Sequence, residues 1–468
     1  MKSIRLVIFA FAIALLVAPA WATTYIVAKT GSDSNNGTST ATPFLTINKA
    51  YSVLTPGDRI QIRSGTYTER VMANKLCTSI APCTIERYPA DAAGSAIIRG
   101  NDIYPSLYFY RDECDENEIG ESNGNIDCAD YNTTVRNLTI YGSATGTGDG
   151  NAVKVDGAGV TLIGNRICCA VADVVKIVRT ANRTKLINNE IWQNSAITTP
   201  AANAQGVDIV GADDILVRGN WVHDVPDVGM YAKGNARRPI FENNLLTNIG
   251  GINNGHAIMM GQSTDEDRLK DGNYETYDAI VRNNVVIGAT WACLASSSSY
   301  NAMFAFNSCY DTGKLSHGSV LLSNESTIGQ VATGVTFRGN IFDVNKARPV
   351  FKIYPNAFSA WGGLVIADNI YWTTDGTAPT FQHNSEISPS DFASWLTNFA
   401  TLTGNTDNSV VADPKFRSVT PGWNALYPAG NSPAIDTGPT ITGFTKDFAG
   451  RTRSTPDKGA WEFFGTKR

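Results

Sequence analysis

Side chains that can exchange protons gather in the middle of this sequence. Only 17% of its 468 residues are charged, so a dense group of titratable side chains is unusual. Amines, phenols, imidazoles and carboxylates at close quarters are the groups that general acid–base catalysis uses. A single outward lysine is usually a solvated charge, and it is the clustering that favours a function. The members are Lys154, Lys176, Asp208, His223, Asp224, Asp227, Tyr231, Lys233, Arg237, Arg238 and His256.

The elements that would position these residues repeat along the chain. A frame of apolar, x, apolar, x, x, Asn, x, apolar recurs nine times, with short apolar strands on both sides of the asparagine. Asparagine suits such a corner because it tolerates left-handed backbone angles, and its amide can bond to the same position in the next repeat. We therefore interpret these asparagines as a structural ladder. They are Asn137, Asn165, Asn189, Asn220, Asn244, Asn284, Asn307, Asn340 and Asn369.

Each repeat also carries a third strand, and its alternation predicts which side chains point outward. In the stretch 214–234, a first strand ends at Gly219-Asn220 and a second covers Trp221-Val222. A third strand covers Gly229 to Lys233, after a polar corner at 223–227. Valines such as Val175 and Val207 form the expected inward set, to which Ala257 and Met259 are assigned. Two outward columns follow: Lys154, Lys176, Asp208, Tyr231 and Ile258, and beside them Asp156, Val178, Val210, Lys233 and Met260.

The two ends of the chain add a resemblance to this pattern. The loop GSDSNNG (31–37), a predicted helix at 46–54 and the segment PGDRIQIRSGTYTERV (56–71) resemble the opening of secreted right-handed parallel β-helix proteins of the pectate lyase-like superfamily. The tail after residue 385, including VVADPKFRSV and NSPAIDTG, resembles their closing segment, and 388–399 is predicted to be helical. We expect an all-β solenoid at 23–385 with an N-terminal helical cap and a C-terminal cap at 386–468.

The resemblance implies a substrate and a reaction. It places an acidic polysaccharide such as alginate or pectate along the face of the third strands, where β-elimination needs a base, a stabilised anion and an acid. Nearby cations can lower the pKa of a lysine, so Lys233 is the candidate base, with Arg237 beside it. Tyr231 or His256 is the candidate acid. The substrate-binding candidates are Lys154, Lys176, Asp208, His223 and Arg238.

Other functions remain open at this point. A glycoside hydrolase needs two carboxylates, for which Asp208 with Asp224 or Asp227 would serve, and a uronate C5-epimerase shares the first step of the lyase. A noncatalytic glycan-binding β-helix predicts an ordinary surface around Lys233. Several proteins of this superfamily use calcium to bind the substrate carboxylate, so the resemblance implies calcium as a cofactor. Asp208, Asp224 and Asp227 match the expected ligands loosely.

Composition and targeting signals limit the partners. The formal net charge of −5 offers no basic field for nucleic acid. Residues 1–22 combine a basic start, an apolar run and Ala20-Trp21-Ala22, which predicts a signal peptide, a secreted protein and no membrane partner; we expect a monomer.

Of eight cysteines, Cys77 with Cys83 and Cys114 with Cys128 are expected to pair locally. For the four inside repeat units, a free buried thiol competes with pairing; they are Cys168, Cys169, Cys293 and Cys309.

Overall fold

Three long parallel sheets wind around one core in a right-handed parallel β-helix, as the repeats predict. The computed structural model describes residues 22–100, 104–110, 130–143, 150–193, 204–251, 255–262, 264, 269, 273–324, 332–346, 348–354, 363–383 and 390–466. The first and second sheets have 12 strands each and the third has 11. One turn of the chain, here called a coil, contributes a strand to each sheet in that order.

The strands are short, and each pairs in parallel with the strand one coil away. The first sheet contains Thr24–Val27, Arg59–Ile62, Cys83–Arg87, Thr133–Arg136, Thr161–Ile163, Lys185–Ile187, Leu216–Arg218, Ile240–Glu242, Ile280–Arg282, Met303–Ala305, Thr336–Arg338 and Val365–Ala367. The second contains Gly65–Thr68, Ala96–Arg99, Thr139–Tyr141, Arg166–Cys168, Glu190–Trp192, Trp221–Val225, Leu245–Ile249, Val285–Ala289, Ser308–Thr312, Ile341–Val344, Ile370–Thr373 and Val410–Val411.

The third sheet carries most of the candidate residues. It contains Val71–Met72, Leu107–Phe109, Val153–Val155, Val175–Val178, Val207–Val210, Met230–Lys233, Ile258–Met260, Leu294–Ser297, Val320–Ser323, Phe351–Ile353 and Gln382–His383. A small fourth sheet follows it on three coils and contains Ala236–Arg237, Thr276–Tyr277 and Ser299–Tyr300. Every pairing between these strands is parallel, so residues at equivalent positions form columns along the axis of the helix.

One expected register is wrong by a single residue. Ile258 pairs with Met230, and Met260 pairs with Ala232, so Ile258 and Met260 point into the core and Met259 points outward. A shift of one residue moves every side chain of a strand to the opposite face. The core accepts Ile258 and Met260 because they continue columns of apolar side chains from the neighbouring coils.

The asparagine ladder is confirmed for eight of its nine members. The side-chain Oδ1 of Asn220 accepts hydrogen bonds from the backbone N–H and the Nδ2 of Asn189, at 2.9 and 3.0 Å. Its own Nδ2 donates to the carbonyl of Leu186 at 2.9 Å. The ladder begins at Asn165, which accepts from the backbone N–H of Leu138, so Asn137 lies one residue before the ladder position. Because these groups are buried, each rung satisfies backbone groups that water cannot reach.

Helices cover both ends of the stack. Ile47–Ser52 is capped by Thr46, whose side chain accepts from the backbone N–H of Lys49 at 3.1 Å, and packs against the first strands. Phe392–Thr403 closes the other end, where Trp395 packs within the core. An uncovered end would expose apolar core and unpaired backbone.

The C-terminal segment then folds back along the second sheet. Ala425, Phe448 and Trp461 pack on Leu245 and Val285 in a cluster separate from the main core. Asp343, on the outer face of the same sheet, is only 5% exposed. The segment therefore buries part of a sheet face that would otherwise contact solvent.

Disulfides are more frequent than expected. Cys77 and Cys83 are paired as predicted. Cys168 pairs with its neighbour Cys169, and Cys293 pairs with Cys309, so of the two alternatives for the cysteines inside the repeats, pairing is the one observed. The last pair joins Cys293, directly before the third-sheet strand Leu294–Ser297, to Cys309 in the second-sheet strand of the following coil, a proximity that only the folded chain creates. Cys114 and Cys128, like residues 1–21 of the expected signal peptide, lie outside the described residues. Within the described chain, no helix is long and apolar enough to cross a membrane.

Candidate active site on the third sheet

Five candidate or neighbouring side chains form one column on the outer face of the third sheet. Tyr108 pairs with Lys154, Lys154 with Lys176, Lys176 with Asp208, and Asp208 with Tyr231. The alternation of each strand sends these residues outward while their apolar neighbours fill the core. The fold therefore brings together groups from five coils, and four of them are the ones that the sequence predicts for this column: Lys154, Lys176, Asp208 and Tyr231.

Lys176 lies between two carboxylates. Its Nζ is 2.7 Å from Oδ2 of Asp208 and 3.2 Å from Oδ2 of Asp173. Burial alone would lower the pKa of Lys176, but the charges of Asp208 and Asp173 outweigh it and raise that pKa above its ordinary value. Lys176 is therefore a fixed cation and cannot act as a base near neutral pH.

The two carboxyl groups beside Lys176 differ in protonation. Both contact the same ammonium group, that of Lys176. Burial, reinforced by the charge of Asp208, raises the pKa of Asp173 well above its ordinary value. Burial acts in the same direction on Asp208, but the charges of Lys176 and Lys233 overcome it and lower the pKa of Asp208. Asp173 is therefore the protonated partner and Asp208 the ionised one.

Tyr231 holds a buried phenol next to Asp208. The residue is 2% exposed and lies directly beside Asp208 of the neighbouring strand. Burial and then the charge of Asp208 raise the pKa of Tyr231 well above 10.0. The Nζ of Lys233 lies 5.0 Å from the centroid of the Tyr231 ring. An amine and a protonated phenol thus stand side by side on one strand.

His256 lies at the start of the next strand, in an aromatic cluster. Its ring is parallel to that of His317 with centroids 5.3 Å apart, and it meets Trp291 edge to face at 5.2 Å. Burial, followed by the charge of His317, lowers the pKa of His256 to about 3. Because a group with this pKa is neutral at neutral pH, His256 has no imidazolium proton to donate.

His223 and Asp224 lie on a different face of the helix. The strand expected at Trp221-Val222 continues to Val225, which is buried in the core. His223 consequently points outward from the second sheet, where it stacks on Trp221 at 4.1 Å and bonds Asp224 at 2.7 Å. The structure therefore does not bring these two residues together with the lysines of the third sheet.

The remaining cations are held at the edges of the site. The ammonium of Lys154 lies 5.3 Å from the Tyr108 ring centroid. The guanidinium of Arg237 lies 4.3 Å from the centroid of Tyr277 in the fourth sheet. Arg238 forms an exposed ion pair with Asp214, at 2.7 and 2.9 Å, and is directed away from the column.

The proposed calcium ligands do not form one site. Asp224 belongs to the second sheet. Asp208 forms an ion pair with the Lys176 ammonium, and Asp227 accepts a hydrogen bond from Gln205 at 2.8 Å. Across the described ranges, no three histidine, cysteine or carboxylate side chains come together as metal ligands. A hard cation needs several oxygen ligands around one point, so these residues do not fit calcium.

Three residues near the column were not predicted from the sequence. Asp173 precedes its strand by two residues, and only its spacing of three from Lys176 could have indicated the ion pair. Gln205 and His317 lie in the turns between the second and third sheets. Their neighbours come from other coils, so no local pattern marks them.

The fold and this face define a right-handed parallel β-helix protein with a charged, hydrogen-bonded cluster on its third sheet. No protein-family model matches the chain, and no curated protein does. Among solved structures, it is similar to pectate lyase Pel9A, with 16% identity, a TM-score of 0.56 and coverage of 94% of this chain and 96% of that one. It is also similar to XylC in complex with xylose, with 12% identity, a TM-score of 0.58 and coverage of 95% and 99%. At these identities, the likeness shows the fold alone.

Proposed function

We propose that this protein is a polysaccharide lyase that cleaves an acidic, uronate-containing glycan such as alginate or pectate by β-elimination. The observation that carries the proposal is the adjacent Lys233 and Tyr231 on the outer face of the third sheet, with Asp208 beside Tyr231 on the neighbouring strand. Pel9A, named a pectate lyase, and XylC, which binds xylose, have this fold. Their names are consistent with a carbohydrate substrate.

The reaction divides between two side chains. In this proposal Lys233 takes the proton from the carbon next to the uronate carboxylate, and the electron pair forms the new double bond as the glycosidic carbon–oxygen bond breaks. The phenol of Tyr231 donates its proton to the leaving oxygen, and the proton held by Lys233 later restores the phenol. Lys176 is a fixed positive charge within the same column. Since His256 is neutral, the acid role falls to Tyr231.

A glycoside hydrolase is the second candidate, because the pKa values of Asp173 and Asp208 are displaced in opposite directions. Such a displacement separates an acid from a base. However, both carboxyl groups are held by the single ammonium of Lys176, at 3.2 and 2.7 Å, whereas the catalytic pair of a glycosidase flanks the scissile bond about 5 Å or more apart. A uronate C5-epimerase would use the same first proton transfer without cleaving the chain. We also propose secretion, which the disulfides and the expected signal peptide support.

The test is an assay of the chain from residue 23 onward on alginate, pectate and glycosaminoglycans, with added calcium or with chelator. The unsaturated product of a lyase absorbs in the ultraviolet. We expect this signal on at least one glycan, and we expect both Lys233→Ala and Tyr231→Phe to lose about 100-fold or more in rate. The matched control is Lys185→Ala, which removes an exposed lysine from a strand of the first sheet.

The outcomes separate the candidates. New reducing ends without ultraviolet absorbance would replace the lyase by the hydrolase. Uronate inversion without cleavage would indicate the epimerase. A full lyase signal in Lys233→Ala would show that the base is another group. Loss of the signal in chelator alone would show a metal requirement that the described residues do not explain.

A further inference from the structure

The fourth sheet carries a column of aromatic side chains beside the candidate active site. In each of three successive coils, a two-residue strand follows the third-sheet strand before the chain enters the first sheet. Arg237 pairs with Tyr277, and Tyr277 pairs with Tyr300. Because parallel strands lie about 4.8 Å apart, these three side chains rise in equal steps along the axis.

Tyr274 completes a cluster of three rings, which we call the tyrosine ladder (Tyr274, Tyr277 and Tyr300). The ring centroids of Tyr274 are 5.6 Å from Tyr277 and 5.2 Å from Tyr300, and those of Tyr277 and Tyr300 are 6.1 Å apart. Tyr300 is 42% exposed, and the other two are half-buried. The Arg237 guanidinium lies over Tyr277 at 4.3 Å. An apolar surface with phenol and guanidinium groups at its margin is therefore open to solvent.

The ladder is anchored to the backbone next to Lys233. The Nδ2 of Asn235 donates to the carbonyl of Tyr274, and Thr276 Oγ1 donates to the carbonyl of Ala232 at 2.6 Å. Buried Glu275 accepts from the backbone N–H of Gly234 at 2.6 Å. These bonds hold the ladder rigidly with respect to the strand that carries the proposed base, so a molecule bound to it would extend onto the third sheet.

We propose that the tyrosine ladder and Arg237 form a carbohydrate-binding site that holds the glycan beside Lys233. The rings offer apolar surface to the faces of sugar rings, and their hydroxyls can bond to sugar hydroxyls. The step between coils is close to the length of one sugar in a chain. Arg237 supplies a cation for a uronate carboxylate. The proposal rests on the proposed function for the acidic nature of the glycan, and it makes Arg237 a binding residue.

The test measures binding without turnover. In the Lys233→Ala protein, migration through gels containing alginate or pectate gives the affinity for each polymer. We expect the double substitution Tyr277→Ala and Tyr300→Ala to weaken binding by about tenfold or more, whereas Phe at both positions should retain most of it. The control Trp423→Ala removes an exposed aromatic ring (46% exposed) from the C-terminal segment and should have no effect.

Thermal melts confirm that each variant is folded. Unchanged binding in the Ala variant, or an equal loss in Trp423→Ala, would contradict the proposal that the tyrosine ladder binds the glycan. Absence of binding of either polymer would do the same.

The two proposals fail separately. If the Ala double variant releases unsaturated product with an unchanged KM, the proposal of a binding site at the tyrosine ladder is contradicted and the lyase proposal is supported. If binding depends on the tyrosine ladder but the protein gives no unsaturated product, the lyase proposal is contradicted and the proposed binding site is supported. The Phe variant distinguishes contact with the ring from a bond to the hydroxyl, because only the ring remains in it.

Discussion

Asp343 makes the stability of this protein depend on pH. Its side chain points outward from the second sheet under the C-terminal segment, is 5% exposed, and has an Oδ1 without a hydrogen-bond partner among the described residues. Burial first, and then the charges of Asp413 and Asp311, raise the pKa of Asp343 from 3.8 to about 7. We predict that Asp343→Asn, which removes the ionisable group and keeps the shape, stabilises the protein at high pH.

The sign and size follow from proton linkage. Below pH 3.8, the carboxyl group is protonated in both states, so Asp and Asn are nearly equivalent. As the pH rises, the unfolded chain releases the proton while the folded protein retains it, and the wild type loses stability until the pH passes 7. The interval of about three pH units corresponds to about 4 kcal/mol at about 1.4 kcal/mol per unit. We expect that advantage for Asp343→Asn at pH 8, and less than about 1 kcal/mol at pH 4.

Urea unfolding at pH 4, 6 and 8 measures this difference, with Asp278→Asn as the control. Asp278 is exposed, so its substitution should leave the pH dependence as in the wild type. A stability gain for Asp343→Asn that is the same at pH 4 and pH 8 would refute the reasoning, because a proton-linked effect must change with pH. A loss at pH 8 would show that the carboxylate is stabilised there.

Three further outcomes follow from the fold. Asn220→Ala removes the acceptor of two buried donors and the donor to a buried carbonyl, so urea unfolding should show a loss of about 3 to 5 kcal/mol, against less than about 0.5 kcal/mol for exposed Asn431→Ala; equal losses would show that the ladder is not stabilising. Replacing both Cys293 and Cys309 by Ala opens a loop with a sequence separation of 16 and should cost about 3 kcal/mol, whereas an unchanged midpoint would mean that the bond does not restrict the unfolded chain. Lys176→Met leaves two buried carboxyl groups without their cation and should cost about 3 kcal/mol or more near neutral pH, with recovery at acid pH; a loss that does not depend on pH would contradict this explanation.

The sequence by itself determined the architecture. Alternating apolar residues fix which side chains of a strand point inward, and the recurring asparagines mark where one strand ends and the next begins. The same alternation places Lys176, Asp208 and Tyr231 in one column from the sequence alone, and their strands pair in that register. This inference succeeded because every coil repeats the same pattern at the same position.

The tertiary structure decided which neighbours each side chain has. Three features depend on the path of loops with different lengths: the contact of both Asp173 and Asp208 with Lys176, the longer strand that turns His223 to another face, and the tyrosine ladder. Periodicity describes one strand at a time, whereas protonation and binding depend on groups brought together from different coils. The fold could be predicted from local spacing for this reason, and the chemistry of the site could not.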